Sequence, residues 1–282
     1  MQKLCAMFIV LIPLVMAAPV GAQDTNPDRV TVTWSDPTRP GLIKVNLFNG
    51  GITVKTHTGP DVIVEANTTQ RPGGRGRRGG PPAEASGLRR IEANASGLTI
   101  EEENNVMKIG TTKFGGSCCT NIELQVPART NLNLQSLNGG EIVVDGVEGE
   151  IEATNNNGGL ALSNVAGSVV AHSLNGKVIV SLRQITGNKP MAFTSLNGNI
   201  DLTLPANTKA NLKMRTDNGD VYSDFDVQLR PSDRKPTVDD SRKQGGPYRI
   251  EIDKSVNGTI NGGGPDFDLR TLNGNIYIRK AK

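Results

Sequence analysis

The chain has 282 residues, of which 36% are apolar and only 4% aromatic, and its formal net charge is +3. This composition excludes a thick, aromatic-rich core and favours a thin, repetitive core of Val, Ile and Leu. Its length is enough for one large all-β domain or two smaller ones.

The first residues predict a secretory signal peptide. Lys3 precedes the apolar run LCAMFIVLIPLVM, and the small residues of VGA stand just before Gln23. The run is shorter than the ~20 residues that span a bilayer and contains Pro13, which disfavours an anchor helix. We therefore predict a signal peptide over 1–22 and an exported chain, 23–282, without a transmembrane span. Its expected location is the periplasm, the extracellular space or the cell surface.

Short segments of alternating apolar and polar residues follow, and each stops at Gly, Asn or Pro. This alternation is typical of strands with one buried face, and no helix is predicted. The clearest segments are VTVTW from Val30, IVEAN from Ile63, NIELQV from Asn121, IDLTL from Ile200 and IYI from Ile276.

Two segments interrupt this pattern and are predicted to be flexible inserts. Segment 70–90 is rich in Gly, Pro and Arg, and segment 230–247 is polar. Neither composition can bury much apolar area. The run GGRGRRGG resembles a nucleic-acid-binding segment, but it lacks the aromatic residues that stack on bases and belongs to an exported chain. We expect no nucleic acid partner.

A four-residue motif recurs along the chain. It reads SLNG from Ser136, Ser173 and Ser195, and TLNG from Thr271. Residues 147–162 recur 18 positions later as residues 165–180, and the next Asn-Gly pairs follow at spacings of 22 and 21. One unit therefore reads strand, Gly corner, strand, Asn-Gly corner.

The Asn-Gly pairs are predicted to be structural corners, because Asn and Gly tolerate positive φ. A row of β-hairpins is the alternative, since Asn-Gly is a strong hairpin signal. A row of hairpins does not explain why the repeat length is nearly constant. It also does not explain why the buried residues fall on the same alternate positions of every repeat. We therefore predict an all-β, β-helix-like β-solenoid, right-handed by default, with coils of about 18–22 residues whose corner asparagines can hydrogen-bond along the axis. The corners are Asn138, Gly139, Asn157, Gly158, Asn175, Gly176, Asn197, Gly198, Asn218, Gly219, Asn273 and Gly274.

The parity of the repeat also predicts which side chains fill the core. These are Ile142, Val144, Ile151, Leu160, Leu162, Val169, Val178, Val180, Ile200 and Leu202.

The pattern S/T-x-N-G-x-I/V-x-V/L covers residues 134–227 and 256–279 best. In this respect the chain resembles a family of secreted bacterial candidate adhesins with serial β-strand repeats, a domain of unknown function. The resemblance implies a β-solenoid exported to the envelope. It transfers no catalytic residue.

Residues able to carry chemistry are few and scattered. His57 and His172 stand apart from each other and from the cysteines, so no zinc pattern and no cofactor site is predicted. Cys118 and Cys119 are adjacent, which demands a strained turn if they bond to each other. Outside the cytoplasm exposed thiols rarely persist, so a vicinal or intermolecular disulfide is expected.

Two functions fit this sequence. The first is a non-enzymatic envelope or surface protein that binds an envelope polymer, a membrane component or another protein. The alternative is a carbohydrate-active enzyme, a polysaccharide lyase or hydrolase on a β-helix, using Asp217, Asp220, Asp224 or Asp226. The chain holds one Trp and three Tyr, few for the sugar platforms of such an enzyme. The sequence therefore favours the binding protein.

Overall fold

The computed structural model describes residues 28–70, 97–111, 118–230, 237–240, 248–251 and 255–282. The predicted signal peptide and nearly all of the first predicted insert lie outside these ranges, so both stay predictions. The described residues form β-strands and no α-helix, which confirms the all-β prediction. The strands are β1 Asp28–Val32, β2 Gly41–His57, β3 Val62–Gln70, β4 Leu98–Glu103, β5 Val106–Thr111, β6 Cys118–Pro127, β7 Thr130–Asp145, β8 Glu148–Asn157, β9 Leu160–Ser173, β10 Val178–Ile185, β11 Met191–Asn197, β12 Ile200–Leu204, β13 Ala210–Asn218, β14 Val221–Ser223, β15 Gln228–Arg230, β16 Thr237–Asp240, β17 Tyr248–Glu251, β18 Val256–Ile260, β19 Asp266–Asn273 and β20 Ile276–Lys280.

Most strands pair in parallel, in two ladders that we call the first and the second. In the first ladder β11 lies between β9 and β19, and in the second β12 lies between β10 and β20. The Asn-Gly corner after β11 therefore joins one ladder to the other. The two strands that flank it, β11 and β12, pair with other strands and not with each other. We call each segment of the chain that contributes one stretch to the first ladder and the next stretch to the second a rung.

The rungs do not stack in chain order. Along both ladders the order is 106–111 with 118–127, then 41–57, 130–145, 148–163, 166–185, 191–204, 266–280 and 210–223. The spacing of 21 between Asn197 and Asn218 suggested neighbouring coils, but the rung 266–280 lies between them. Because all copies of the motif offer the same interface, the repeat does not specify which copy lies next to which.

Antiparallel strands border the rungs at both ends of the stack. At one end β4 pairs with β5, β3 with β6, and β1 with β3. At the other end β18 pairs with β13, and β15 with β18. Such strands cover backbone edges that would otherwise pair with other chains. Part of the second predicted insert is regular structure, because β16 pairs antiparallel with β17.

The core runs between the two ladders as columns of Val, Ile and Leu. All of the predicted core residues are buried, and none exposes more than 2% of its surface. Phe193 and Phe267 lie on neighbouring rungs, two residues out of register, and meet edge to face with their centroids 6.2 Å apart. This thin core agrees with the low aromatic content of the chain.

The loop before β2 is fixed by a carboxylate. Asp36 accepts hydrogen bonds from the Thr38 hydroxyl at 2.6 Å, the Thr38 amide at 3.0 Å and the Arg39 Nε at 2.7 Å. These bonds, that of the hydroxyl above all, lower the pKa of Asp36 to about 2. Asn105, in the turn after β4, adds a bond from its Nδ2 to the Asp36 carbonyl oxygen, 2.6 Å long.

Candidate binding surface

The first residue of the repeated motif ties each rung to the one before it. Its side chain is buried, or half-buried in the case of Thr216, and its hydroxyl donates to a glycine carbonyl oxygen of the preceding rung. These bonds run from Ser136 to Gly50 at 2.8 Å, Ser173 to Gly158 at 3.0 Å, Ser195 to Gly176 at 2.9 Å, Thr271 to Gly198 at 2.9 Å and Thr216 to Gly274 at 2.8 Å. The Ser or Thr of the motif is therefore a structural donor.

The corner asparagines form a hydrogen-bonded column along the stack, which we call the asparagine column. Every Nδ2 donor lies one rung after its Oδ1 acceptor, so all the bonds point the same way. The pairs are Asn157 to Asn138 at 2.7 Å, Asn175 to Asn157 at 2.9 Å, Asn197 to Asn175 at 2.8 Å, Asn273 to Asn197 at 2.7 Å and Asn218 to Asn273 at 2.8 Å.

The corner glycines bring neighbouring rungs into backbone contact. A Cβ atom at Gly176 would lie 2.3 Å from the carbonyl oxygen of Gly158, and one at Gly198 would lie 2.1 Å from that of Gly176. The corner at Asn138 differs, because Gly139 has a φ of +87° and Gly140 makes the close contact, with Gly51. A side chain at these positions would collide with the backbone of the neighbouring rung, so these corners require glycine.

In one rung an asparagine replaces the first residue of the motif. Asn155 is buried, and its Nδ2 donates to the carbonyl oxygens of Gly140 at 2.8 Å and Gly159 at 3.1 Å. Its Oδ1 is buried without a hydrogen-bond partner. The Ser or Thr, the Asn and the Gly of the motif thus serve contacts between rungs.

The histidines and cysteines take local positions. His57 bonds to Asp61 O at 2.7 Å through Nε2 and accepts from the Gly59 amide at 3.0 Å, and His172 bonds to Thr194. Cys118 and Cys119 begin β6, opposite the end of β3. The side chain of Cys118 lies outside the described part, so the disulfide remains a prediction. Within the described ranges no three His, Cys, Asp or Glu side chains lie close enough together to hold a metal ion.

The four acids of segment 217–226 lie on and beside the rung 210–223. The Asp217 carboxylate is 3.4 Å from the Nε of Arg215. Asp224 Oδ2 accepts from the backbone amide of Lys280 at 3.4 Å, and Asp226 is exposed. Asp220 contacts a tyrosine, which makes it part of the cluster described next.

Two tyrosines stack on the outer face of the second ladder at this rung. Tyr222 of β14 is in register with Tyr277 of β20, their centroids are 5.4 Å apart and their planes differ by 12°. Tyr222 is 51% exposed. Its hydroxyl donates to Asp220 Oδ2 at 3.3 Å, and Asn275 Nδ2 donates to the Tyr277 hydroxyl at 2.9 Å. We call Tyr222, Tyr277, Asp220, Asp201 and Arg279 the tyrosine cluster.

The remaining members of the tyrosine cluster, Asp201 and Arg279, are held by an ion pair with each other and by a contact of Arg279 with the Tyr277 ring. Arg279 Nε donates to both carboxylate oxygens of Asp201, at 2.9 and 3.1 Å, and its Cζ lies 5.2 Å from the ring centroid of Tyr277. Hydrogen bonding to Asp201 raises the pKa of Arg279, and the charge of Asp220 raises the pKa of Tyr222. The phenol of Tyr222 therefore stays neutral at physiological pH, with its proton directed to Asp220.

A row of outward side chains leads along the second ladder to these tyrosines. In register order it consists of Val143, Ala161, Ile179, Asp201, Tyr277 and Tyr222. Sequence reasoning treated the acids and tyrosines separately and missed the cluster. A signal was present, because NGDVY and NGNIY place a tyrosine at the same position of two copies of the repeat.

Comparison with known proteins places the chain in a family. No curated protein matches it. A cell adhesion candidate from Clostridium sporogenes has 11% identity and a TM-score of 0.41, covering 90% of this chain and 100% of that one. An adhesin candidate from Bacteroides fragilis has 10% identity and a TM-score of 0.33, covering 91% and 98%. The profile of the family described as Toastrack DUF4097 matches residues 111–279, more than half of the chain. The chain therefore belongs to the Toastrack DUF4097 family.

Proposed function

We propose that this protein is a non-enzymatic binding protein of the cell envelope, an adhesin-like β-solenoid whose outward side chains recognise an envelope polymer, a membrane component or another protein. The predicted signal peptide supports its export to the periplasm, the extracellular space or the cell surface. Among the described residues there is no helix with the length and hydropathy to cross a membrane.

The observation that carries the proposal is the use of the motif itself. Its Ser or Thr, its Asn and its Gly all contact the preceding rung. The parallel register of the rungs and the single direction of the asparagine column support the solenoid architecture. A regular stack with a fixed backbone presents variable outward side chains as a continuous surface, on which weak contacts over several rungs can add up.

The alternative is a carbohydrate-active enzyme, a polysaccharide lyase or hydrolase, and a hydrolase ordinarily uses two carboxylates that flank the glycosidic bond. In the tyrosine cluster Asp220 accepts a hydrogen bond from Tyr222, and Asp201 is paired with Arg279. Both carboxylates are therefore held in roles that fix neighbouring side chains. We assign them to binding.

The test measures retention and turnover together. Purified mature protein is incubated with envelope polysaccharide, peptidoglycan and vesicles that contain anionic lipid, and each mixture is assayed for bound protein and for released product. We expect retention on at least one material without product. Product formation that is abolished by Asp220→Asn or Asp224→Asn, with an unchanged melting temperature, would establish the enzyme instead. Absence of retention on all three materials would contradict binding to an envelope polymer or to membrane lipid.

A further inference from the structure

We propose that the tyrosine cluster binds a neutral glycan segment, with one sugar ring stacked on the outer face of Tyr222. This inference rests on the proposed binding function and names the ligand class of one site on the surface.

One face of the Tyr222 ring is available to such a ligand. The other face stacks on Tyr277, and β14 has no strand partner within the described residues other than β20. Half of the Tyr222 surface is exposed. The face of an aromatic ring carries negative partial charge, so it attracts the polarised C–H groups on the flat side of a pyranose ring.

The platform is rigid before any ligand arrives. Tyr277 is held by Asn275 at its hydroxyl and by the guanidinium of Arg279 at its ring, and Tyr222 is held by Asp220. Arg279 is itself fixed by two bonds to Asp201. A side chain that is already ordered loses little conformational entropy on binding, so weak stacking contacts retain more of their energy.

Hydrogen-bond acceptors lie beside the platform. Asp220 and Asp224 each engage Oδ2 in the contacts described above, and both residues are exposed. Their Oδ1 atoms have no hydrogen-bond partner among the described residues. Sugar hydroxyls donate readily to carboxylates, and such charge-assisted bonds are stronger than neutral ones.

The charge of the site selects against anionic glycans. Arg279 neutralises Asp201, whereas neither Asp220 nor Asp224 forms an ion pair within the described part of the chain. The carboxylate of Asp220, bonded to the Tyr222 hydroxyl, repels uronate or sulfate groups, while an uncharged polyhydroxyl ligand can donate hydrogen bonds to it. The chemistry therefore fits a neutral glycan.

The experiment titrates the purified protein with cellohexaose, mannohexaose and chitohexaose as neutral probes, and with hexagalacturonate as the charged probe. We expect at least one neutral hexasaccharide to bind, and to bind at least fivefold more tightly than hexagalacturonate. Tyr222→Ala should weaken this binding at least tenfold. Tyr222→Phe, which keeps the ring and loses only the hydroxyl bond, should weaken it less than threefold.

Val170→Ala is the matched control, because Val170 is 43% exposed and lies on β9 in the first ladder, outside the outward row that leads to the two rings. Its affinity should equal that of the wild type, and all variants should keep the wild-type melting temperature. The proposal is overturned if no neutral probe binds, if hexagalacturonate binds most tightly, or if Tyr222→Ala binds like the wild type. Retention on envelope material without binding of the neutral probes would overturn the glycan site alone and leave the proposed function intact.

Discussion

The direction of the asparagine column can be tested with a single-atom change, Asn197→Asp. In the wild type Asn197 donates to Asn175 Oδ1 at 2.8 Å and accepts from Asn273 Nδ2 at 2.7 Å. The variant keeps the acceptor but sets a carboxylate oxygen against the oxygen of Asn175. One net hydrogen bond is worth about 0.5–1.5 kcal/mol, and the repulsion of two oxygens adds a similar cost. We expect a loss of about 2 kcal/mol at pH 7.

Thermal unfolding measures this loss as a decrease of about 4–8 °C in Tm for a domain of this size. A protonated carboxyl group at position 197 can donate again, so folding raises the pKa of the new carboxyl above its ordinary value of about 3.9. The stability of the variant is then greatest below that value and falls as the pH rises through the folded pKa. The deficit should therefore be smaller at pH 3 than at pH 7.

Asn138→Asp is the matched control at the start of the asparagine column. Asn138 accepts from Asn157, and its own Nδ2 has no acceptor among the described residues. A carboxylate there keeps the bond from Asn157 and loses no side-chain hydrogen bond seen among the described residues, so the expected loss is below about 0.5 kcal/mol. Equal losses for the two variants, or a deficit of Asn197→Asp that does not change with pH, would refute the directional column.

Three further predictions concern the stack and its first loop. Gly176→Ala should cost about 1–3 kcal/mol in denaturant unfolding, because its Cβ meets the Gly158 backbone at 2.3 Å. Gly110→Ala, whose closest contact is 3.7 Å, should cost much less, and equal costs would contradict this reasoning. Val180→Asp, which buries an unpaired carboxylate, should cost about 3–5 kcal/mol, whereas the outward Ile179→Asp should melt near the wild type. Asp36 stabilises the fold above pH 3.8 and loses this contribution as the pH falls through about 2, so Asp36→Asn should show a flatter acid unfolding curve in that window.

The sequence predicts the individual rung well. The parity of the repeat identifies Val180 and Leu202 as buried, because inward and outward positions alternate in any strand. The neighbours of a rung were harder to predict. Asn273 follows Asn197 in the stack although 76 positions separate them, since every copy carries the same contact groups.

The tyrosine cluster was missed for the same reason. Tyr222 and Tyr277 lie 55 positions apart, and only the insertion of the rung 266–280 brings them into contact. Equal positions in two copies indicate that two side chains face the same way. They do not indicate that the copies are adjacent, which depends on tertiary pairing.

The order of the rungs also has a consequence for the order in which the exported chain can fold. Rungs between residues 148 and 204 rest on segments that stand just before them in the chain, so their ladders can form by short loop closures. Strand β13, in contrast, is made before β19, its parallel partner. Its edge stays unpaired on that side until residues 266–273 are available to pair with it. Slow closure of such distant contacts exposes apolar strand surface, so this is the stage at which chaperone binding or aggregation should compete with native folding.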